Sequence, residues 1–231
     1  LLPLGLLAQD DKGGEQDYKD KDQHERFLRR RKAVAAWQIN KLRKSGAIVV
    51  RLRSNQLAIN GLLKSGKKEE ALRLAAQTFA INKNTMMAYI ENFTFCKVYF
   101  IYGNASDSLL KGHRKGFFLD TNLLANPAIE MSEGYYVLAE RDYAYNSSIG
   151  FVPEAQAAAV TEKGNAIKQM AIVLKNKYGH QLKNPMPHEI RENSSVAEYN
   201  EPYSATLLPS GQISVSYAVN RRGTDSLQKE L

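Results

Sequence analysis

Catalysis needs side chains that can trade a proton, hold a metal or attack a carbon centre, and this chain carries few of them in a usable arrangement. The four histidines, His24, His113, His180 and His188, are scattered, and none stands in an HExxH or comparable ligand spacing. A metal site assembled through folding from His180, His188 and Glu189 is conceivable, but turn histidines are usually just solvated. Cys96 is the single cysteine, so no disulfide closes within this sequence and no CxxC metal or redox motif exists. It sits in an apolar, β-forming run, where a thiol is expected to be buried and inert. No G-x-S-x-G elbow anchors a serine nucleophile. Lys64-Ser65-Gly66-Lys67-Lys68 contains a Gly-Lys pair, yet it lacks the upstream glycine and the strand-to-helix setting of a phosphate cradle. Asp107 with Asp120, and Glu140 with Asp142, are carboxylate pairs that a fold could bring together, although their sequence positions fix no acid/base separation. The reading is no catalytic residue, no cofactor and no metal.

What the chain does concentrate is positive charge. Lys and Arg total 32 against 24 Asp and Glu, a formal net charge of +8. Most of that excess lies in Arg26, Arg29, Arg30, Arg31, Lys32, Lys41, Arg43, Lys44, Arg51 and Arg53, a stretch with only Glu25 at its edge. Such a run favours anionic partners. Two readings stand side by side: a solvated helix surface, or a docking surface made of Arg26, Arg29, Arg30, Arg31, Lys32, Trp37, Lys41 and Arg43. Nucleic acid would use the same helix with Trp37 and Phe27 for stacking, but an exported protein would not meet it.

The elements that must position these residues follow from periodicity. Phe27, Leu28, Val34, Trp37, Ile39 and Leu42 recur at approximately helical spacing before Gly46, which predicts one long basic helix from about His24 to Lys44. Ala47–Arg53 is β-branched and predicts a strand. A helical hairpin is expected next, turning at Ser65-Gly66-Lys67 and ending near Ile81. The turn resembles that of a tetratricopeptide repeat, but no second copy exists to stack on. After Asn82-Lys83-Asn84 strands are expected: Phe95–Tyr102 as a central strand, then Gly116–Asp120, Tyr135–Glu140 and Lys168–Lys175. Residues 142–166 read as an irregular insertion, Tyr178-Gly179-His180 as a turn, and Pro185-Met186-Pro187 as a break. A last strand near Ile213–Val219 is predicted, paired within the chain or with a partner.

The expected architecture is α+β: a long N-terminal helix and a helical hairpin packed on a mixed sheet of four to five strands, followed by an extended C-terminal tail. The divisions are residues 1–22 as leader and flexible lead-in, 23–190 as the main domain, and 191–231 as linker and tail. Leu1–Ala8 is an uncharged apolar run ending in a small residue before polar, turn-forming residues, which reads as the end of a signal peptide cleaved after Ala8. No later segment is long and apolar enough to span a bilayer. The expected address is therefore extracytoplasmic, in a periplasm or at the outer membrane.

Taken together, Val49–Arg53, the helical hairpin, Phe95–Tyr102, Phe117–Asp120, Tyr136–Glu140 and Gln181–Pro187 resemble a group of uncharacterised exported proteins of Bacteroidota. The likeness covers roughly residues 45–190 and implies an envelope address without an activity. Asp107-Ser108-Leu109 and Asp225-Ser226-Leu227 are similar to the Asp-Ser/Thr-apolar sites that these bacteria O-glycosylate, which makes Ser108 and Ser226 the expected acceptors. The expectation for function is a non-enzymatic envelope interaction protein, an accessory subunit of a larger outer-membrane or secretion-type assembly. The alternative is a small-ligand binding protein or enzyme with a pocket at the strand ends, around Tyr102, Asp120 and Glu140.

Overall fold

The computed structural model describes residues 19–145, 166–182, 186, 189–191 and 203–217. The leader, residues 146–165 of the expected insertion, most of the Pro185–Pro187 break, the linker after Arg191 and Ser226 lie outside the described residues. Residues 142–145, expected to open that insertion, continue a strand instead, because Asp142 and Tyr143 stay in register with Ala171 and Met170. The order is α1 (Lys21–Arg29), α2 (Arg31–Ser45), β1 (Gly46–Leu52), α3 (Gln56–Lys64), α4 (Lys68–Asn92), β2 (Lys97–Tyr102), α5 (Ser106–Leu110), β3 (Tyr135–Tyr145), β4 (Ala166–Lys175), β5 (Glu189–Arg191), β6 (Tyr203–Leu207) and β7 (Ile213–Tyr217). This is the α+β architecture expected.

The long N-terminal helix is two helices. Asp20 caps α1 by accepting from the Gln23 backbone N–H at 2.9 Å, and the helix closes at Arg30, whose N–H bonds the Phe27 carbonyl. The break falls inside Arg29-Arg30-Arg31-Lys32. Arg30 stands four residues after Arg26 and Lys32 three after Arg29, and like charges at those spacings weaken a helix. Phe27 and Val34 pack together across the break.

α2 runs into β1 with no connecting residue. Gly46 is at once the C-cap of α2 and the first residue of β1, in extended backbone. A Cβ there would stand 2.6 Å from the Leu42 Cα, a backbone atom that cannot turn aside. Gly46→Ala is therefore expected to destabilise by about 1–3 kcal/mol, the usual cost of overpacking. The check is a lower denaturant midpoint at unchanged slope.

β1 sits between β2 and β3, parallel to both, and β4 and β5 extend the sheet antiparallel, giving the order β2-β1-β3-β4-β5. Phe95–Tyr102 was expected to be central, but its strand, Lys97–Tyr102, is the edge. Partial burial of β2 fits this: only Phe100 and Ile101 are buried, Val98, Tyr99 and Tyr102 are half-buried, and Lys97 is exposed. β1, buried along nearly its whole length, takes the inner position instead.

Both sheet faces are covered. On one, Ile48, Val50, Phe100, Val137 and Leu174 meet Leu42 of α2 and Met86 of α4. On the other, Val49, Ile101, Tyr136 and Leu138 meet Leu109, Phe118 and Met131 from the segment between β2 and β3. α4 continues to Asn92, well past the expected end at Ile81. Asn82 is tolerated in mid-helix because its side chain is buried and donates to the Arg53 carbonyl at 2.8 Å. Gly116–Asp120 is not a strand. Among the described residues it forms one isolated bridge, Leu119 to Ala125, closed by Asn126 N–H on the Phe118 carbonyl at 2.8 Å, and Leu119 N–H separately bonds the Phe100 carbonyl at 2.9 Å. Positive φ at Gly116 turns the chain into this wrap.

The C-terminal strand pairs within the chain. β6 and β7 form an antiparallel hairpin, and Ala205, Ile213 and Val215 lie against Ile59, Ala71 and Ala75 of the helical hairpin. Phe79 and Tyr203 meet edge to face, ring centroids 5.1 Å apart. This part of the tail is packed onto α4.

Candidate functional site

The cations of the N-terminal helices divide into two sets. Arg26, Arg29 and Arg30 at α1, and Arg31, Lys32, Lys41 and Arg43 on α2, are all exposed, and none enters an ion pair among the described residues. The opposite sides of the helices are held down by Phe27, Val34, Ala35 and Leu42. Trp37 behaves differently from the rest of the expected docking set. It is half-buried and edge-on to Tyr135 at 5.3 Å, so its ring ties α2 to β3. Arg51 and Arg53, the last of the basic stretch, lie at the carboxyl end of β1.

That carboxyl end is where the parallel strands and the chain's turns converge. The chain leaves β1 toward α3 and α4 on one face of the sheet, and leaves β2 toward α5 on the other. Adjacent parallel strands whose connections depart to opposite faces leave a crevice outside their carboxyl ends, the favoured ligand position in open α/β sheets. Among the described residues, three openings lie there. The largest, about 510 Å³, is enclosed by α3, α4, the end of β2 and the β6–β7 hairpin. Two smaller ones, about 90 and 180 Å³, flank Arg51, Arg53, Glu140 and Arg141.

An ion network organises the smaller openings. Arg51 lies directly across the ladder from Glu140, and its Nε stands 2.6 Å from Glu140 Oε2. Lys175 is bonded to the other Glu140 oxygen and to Asp142 Oδ2 at 2.8 Å. Arg53 donates to the Arg141 carbonyl at 2.7 Å. The Lys175 and Glu140 side chains are only 6% and 9% exposed. Burial alone would lower the Lys175 pKa, but the facing carboxylates of Glu140 and Asp142 outweigh it and raise it above 10.5. Glu140 and Asp142 are thus brought together through one shared ammonium, with Arg51 on the second Glu140 oxygen completing the charge balance.

Of the residues expected around a strand-end pocket, the fold gathers Tyr102 and Glu140 at this edge but not Asp120. Asp120 accepts the N–H groups of Asn122 at 2.8 Å and Leu124 at 3.1 Å, holding its own turn. Tyr102 donates to the Leu123 carbonyl at 3.1 Å, which fixes its ring at the rim of the large crevice. Leu123 sits there at φ 63°, a strained angle for a bulky residue, and is buried. Asp107 is exposed on α5, and Ser108 is half-buried in the same short helix. Cys96 is half-buried, its thiol pushed up by burial. A second polar knot stands at the start of β2. Glu133 pairs with Lys97 at 2.7 Å and accepts from the Tyr99 hydroxyl at 2.9 Å. Burial and that bond to Glu133 push the Tyr99 phenol up to about 12.

No family model, curated protein or solved structure matches this chain. Its chemistry must be read from its own side chains. Among the described residues no cluster of His, Cys, Asp or Glu is arranged to hold a metal ion, and no helix is long and apolar enough to cross a membrane. His180 contacts the Lys19 carbonyl at 3.0 Å, while His188 lies outside the described residues. The residues that sequence reasoning missed are Lys175, Arg51 and Arg53 as a network, and the amides of the large crevice. The one available signal was the Arg51-x-Arg53 alternation, which sets both arginines on one face of a β-branched strand.

Proposed function

We propose that this protein is a non-enzymatic interaction protein of the cell envelope, an accessory subunit that docks a larger outer-membrane or secretion-type assembly through the cations of α1 and α2. The observation that carries this reading is the exposure of Arg26, Arg29, Arg30, Arg31, Lys32, Lys41 and Arg43 on helices whose other side is packed. None of these cations is spent on an internal ion pair among the described residues. A surface of this kind steers and orients an acidic partner face, and its contribution falls as salt rises. The apolar leader and the likeness to exported proteins of Bacteroidota support the address. Trp37 leaves the docking set, because its ring is occupied by Tyr135.

The test compares wild type with an Arg29→Glu/Arg31→Glu/Lys41→Glu variant, a set of exposed positions whose change leaves the packed side intact. Wild type is expected to be recovered from gently solubilised envelopes in a species larger than the monomer, and to be released at about 0.5 M salt, where screening acts within a few ångströms. The reversed variant is expected to be released at low salt. Recovery of both proteins as monomers, equal retention of the two, or a salt-sensitive affinity for DNA in place of envelope retention would overturn the proposal.

A further inference from the structure

The large crevice differs from everything around it in charge. About 510 Å³ falls within the range of small-molecule sites, which run from about 300 to 1,000 Å³. Charged residues make up 24% of the chain, and the adjoining openings are lined by Arg51, Arg53, Glu140, Arg141 and Asp142. Yet among the described residues no Asp, Glu, Lys, Arg or His lines the large one. Its polar groups are amides and hydroxyls contributed by separate elements. Ser54 follows β1, Gln56 and Asn60 lie on α3, Asn104 follows β2, and Gln212 lies in the hairpin turn. Gln56 donates to Asn60 at 2.8 Å, leaving the Asn60 amino group as a donor. The side-chain amides of Asn104 and Gln212 form no hydrogen bond among the described residues. Between these groups lies an apolar wall of Ile59, Phe79 and Ile213.

Each alternative ligand class meets an obstacle here. A phosphate or carboxylate ligand would find no cation among the described lining residues, and a cationic one no carboxylate. A wholly apolar ligand would strip water from the amides without replacing their hydrogen bonds. A molecule with hydroxyls around its rim and C–H groups on its faces satisfies both the amides and the apolar wall. Tyr102 stays neutral through the physiological range, since burial raises its pKa.

We infer that the crevice at the carboxyl end of β2, between α3, α4 and the β6–β7 hairpin, is a binding site for a neutral mono- or disaccharide. The site lies away from the basic helices, so it goes beyond docking and stands or falls separately.

The experiment titrates the full chain calorimetrically with glucose, N-acetylglucosamine, maltose and chitobiose, and with glucuronate and glucose 6-phosphate as charged counterparts. At least one neutral sugar is expected to bind with a Kd of about 1 mM or tighter. Its charged counterpart should bind at least roughly tenfold more weakly, because the site has no group to pair the charge. Asn104→Ala/Gln212→Ala removes two exposed amides that hold nothing else in the fold. It should weaken the sugar by roughly tenfold or more while the thermal midpoint of the free protein stays put. Failure of all four neutral sugars, equal affinity for the charged ones, an unaffected double variant, or tighter binding of a neutral blocked dipeptide would each overturn the assignment.

Discussion

Lys175→Met is expected to remove about 3 kcal/mol of stability, the lower end of what breaking a buried ion pair costs. The size follows from what remains behind. Glu140, 9% exposed, keeps Arg51 as a partner, whereas Asp142 loses Lys175 but is about one-third exposed and can be hydrated. Glu140→Gln attacks the network from its centre and leaves the buried Lys175 ammonium with Asp142 alone. Combining the two should cost less than the sum of the singles, with a coupling of about 1–3 kcal/mol, because each single variant strands the partner that the other removes. The pH dependence has a definite sign. The folded Lys175 pKa is raised above its ordinary 10.5, so its contribution is fully present below pH 10.5 and is lost as pH rises through the folded value. The gap between wild type and Lys175→Met should therefore be constant near about pH 7 and shrink at strongly alkaline pH. Urea unfolding at several pH values measures it. A single variant within about 0.5 kcal/mol of wild type would show that the network behaves as a solvated surface cluster.

The network also marks where sequence reasoning stops. β1 was legible because Ile48, Val49 and Val50 are β-branched and both faces of the strand are apolar. The hairpin of α3 and α4 was legible from its turn. The break at Arg30 was missed because the apolar spacing of Phe27 and Val34 continues a single helical phase, so periodicity could not see a change in axis. The start of α1 was in fact written at Asp20, whose carboxylate accepts from the Gln23 N–H, but Asp20 was assigned to the lead-in. α4 overran its expected end because Asn82-Lys83-Asn84 reads as a stop, and only a tertiary bond from Asn82 to Arg53, 29 residues away, turns that asparagine into a helix residue. Lys175 and Glu140 lie 35 positions apart, and the antiparallel register of β3 with β4 that joins them is set by the apolar neighbours Leu138, Ala139, Val173 and Leu174. Crevice chemistry was the least accessible part. Isolated amides at positions 56, 60, 104 and 212 carry no spacing that announces them, and they converge only when β6–β7 folds back on α4.

Phe118→Ala is the second variant with a large expected effect, about 3–5 kcal/mol. Gly116–Asp120 looks like a strand because Phe117, Phe118 and Leu119 are β-formers, and a strand would send successive side chains to opposite faces with one of them in solvent. The fold does something else with them. Phe118 is 0% and Leu119 5% exposed, and they enter different apolar clusters, one on each face of the sheet. The segment thus closes over the outer edge of β2, where Leu119 N–H reaches the Phe100 carbonyl, and covers a strand edge that would otherwise invite another chain. The Phe118 ring meets those of Tyr99 at 5.1 Å and Phe117 at 4.6 Å, both tilted, beside Val49, Ile101 and Leu138. Its removal opens a cavity against the second face of β1, where the long helices α2 and α4 cannot reach because they lie on the other side and only the short α5 packs nearby. Phe117 is only half-buried, so Phe117→Ala should cost clearly less and serves as the internal comparison. If the two variants proved equal, or Phe118→Ala cost under about 1 kcal/mol, the segment would be loosely laid on the sheet, and the burial of β1 would have to be supplied by something other than Phe118.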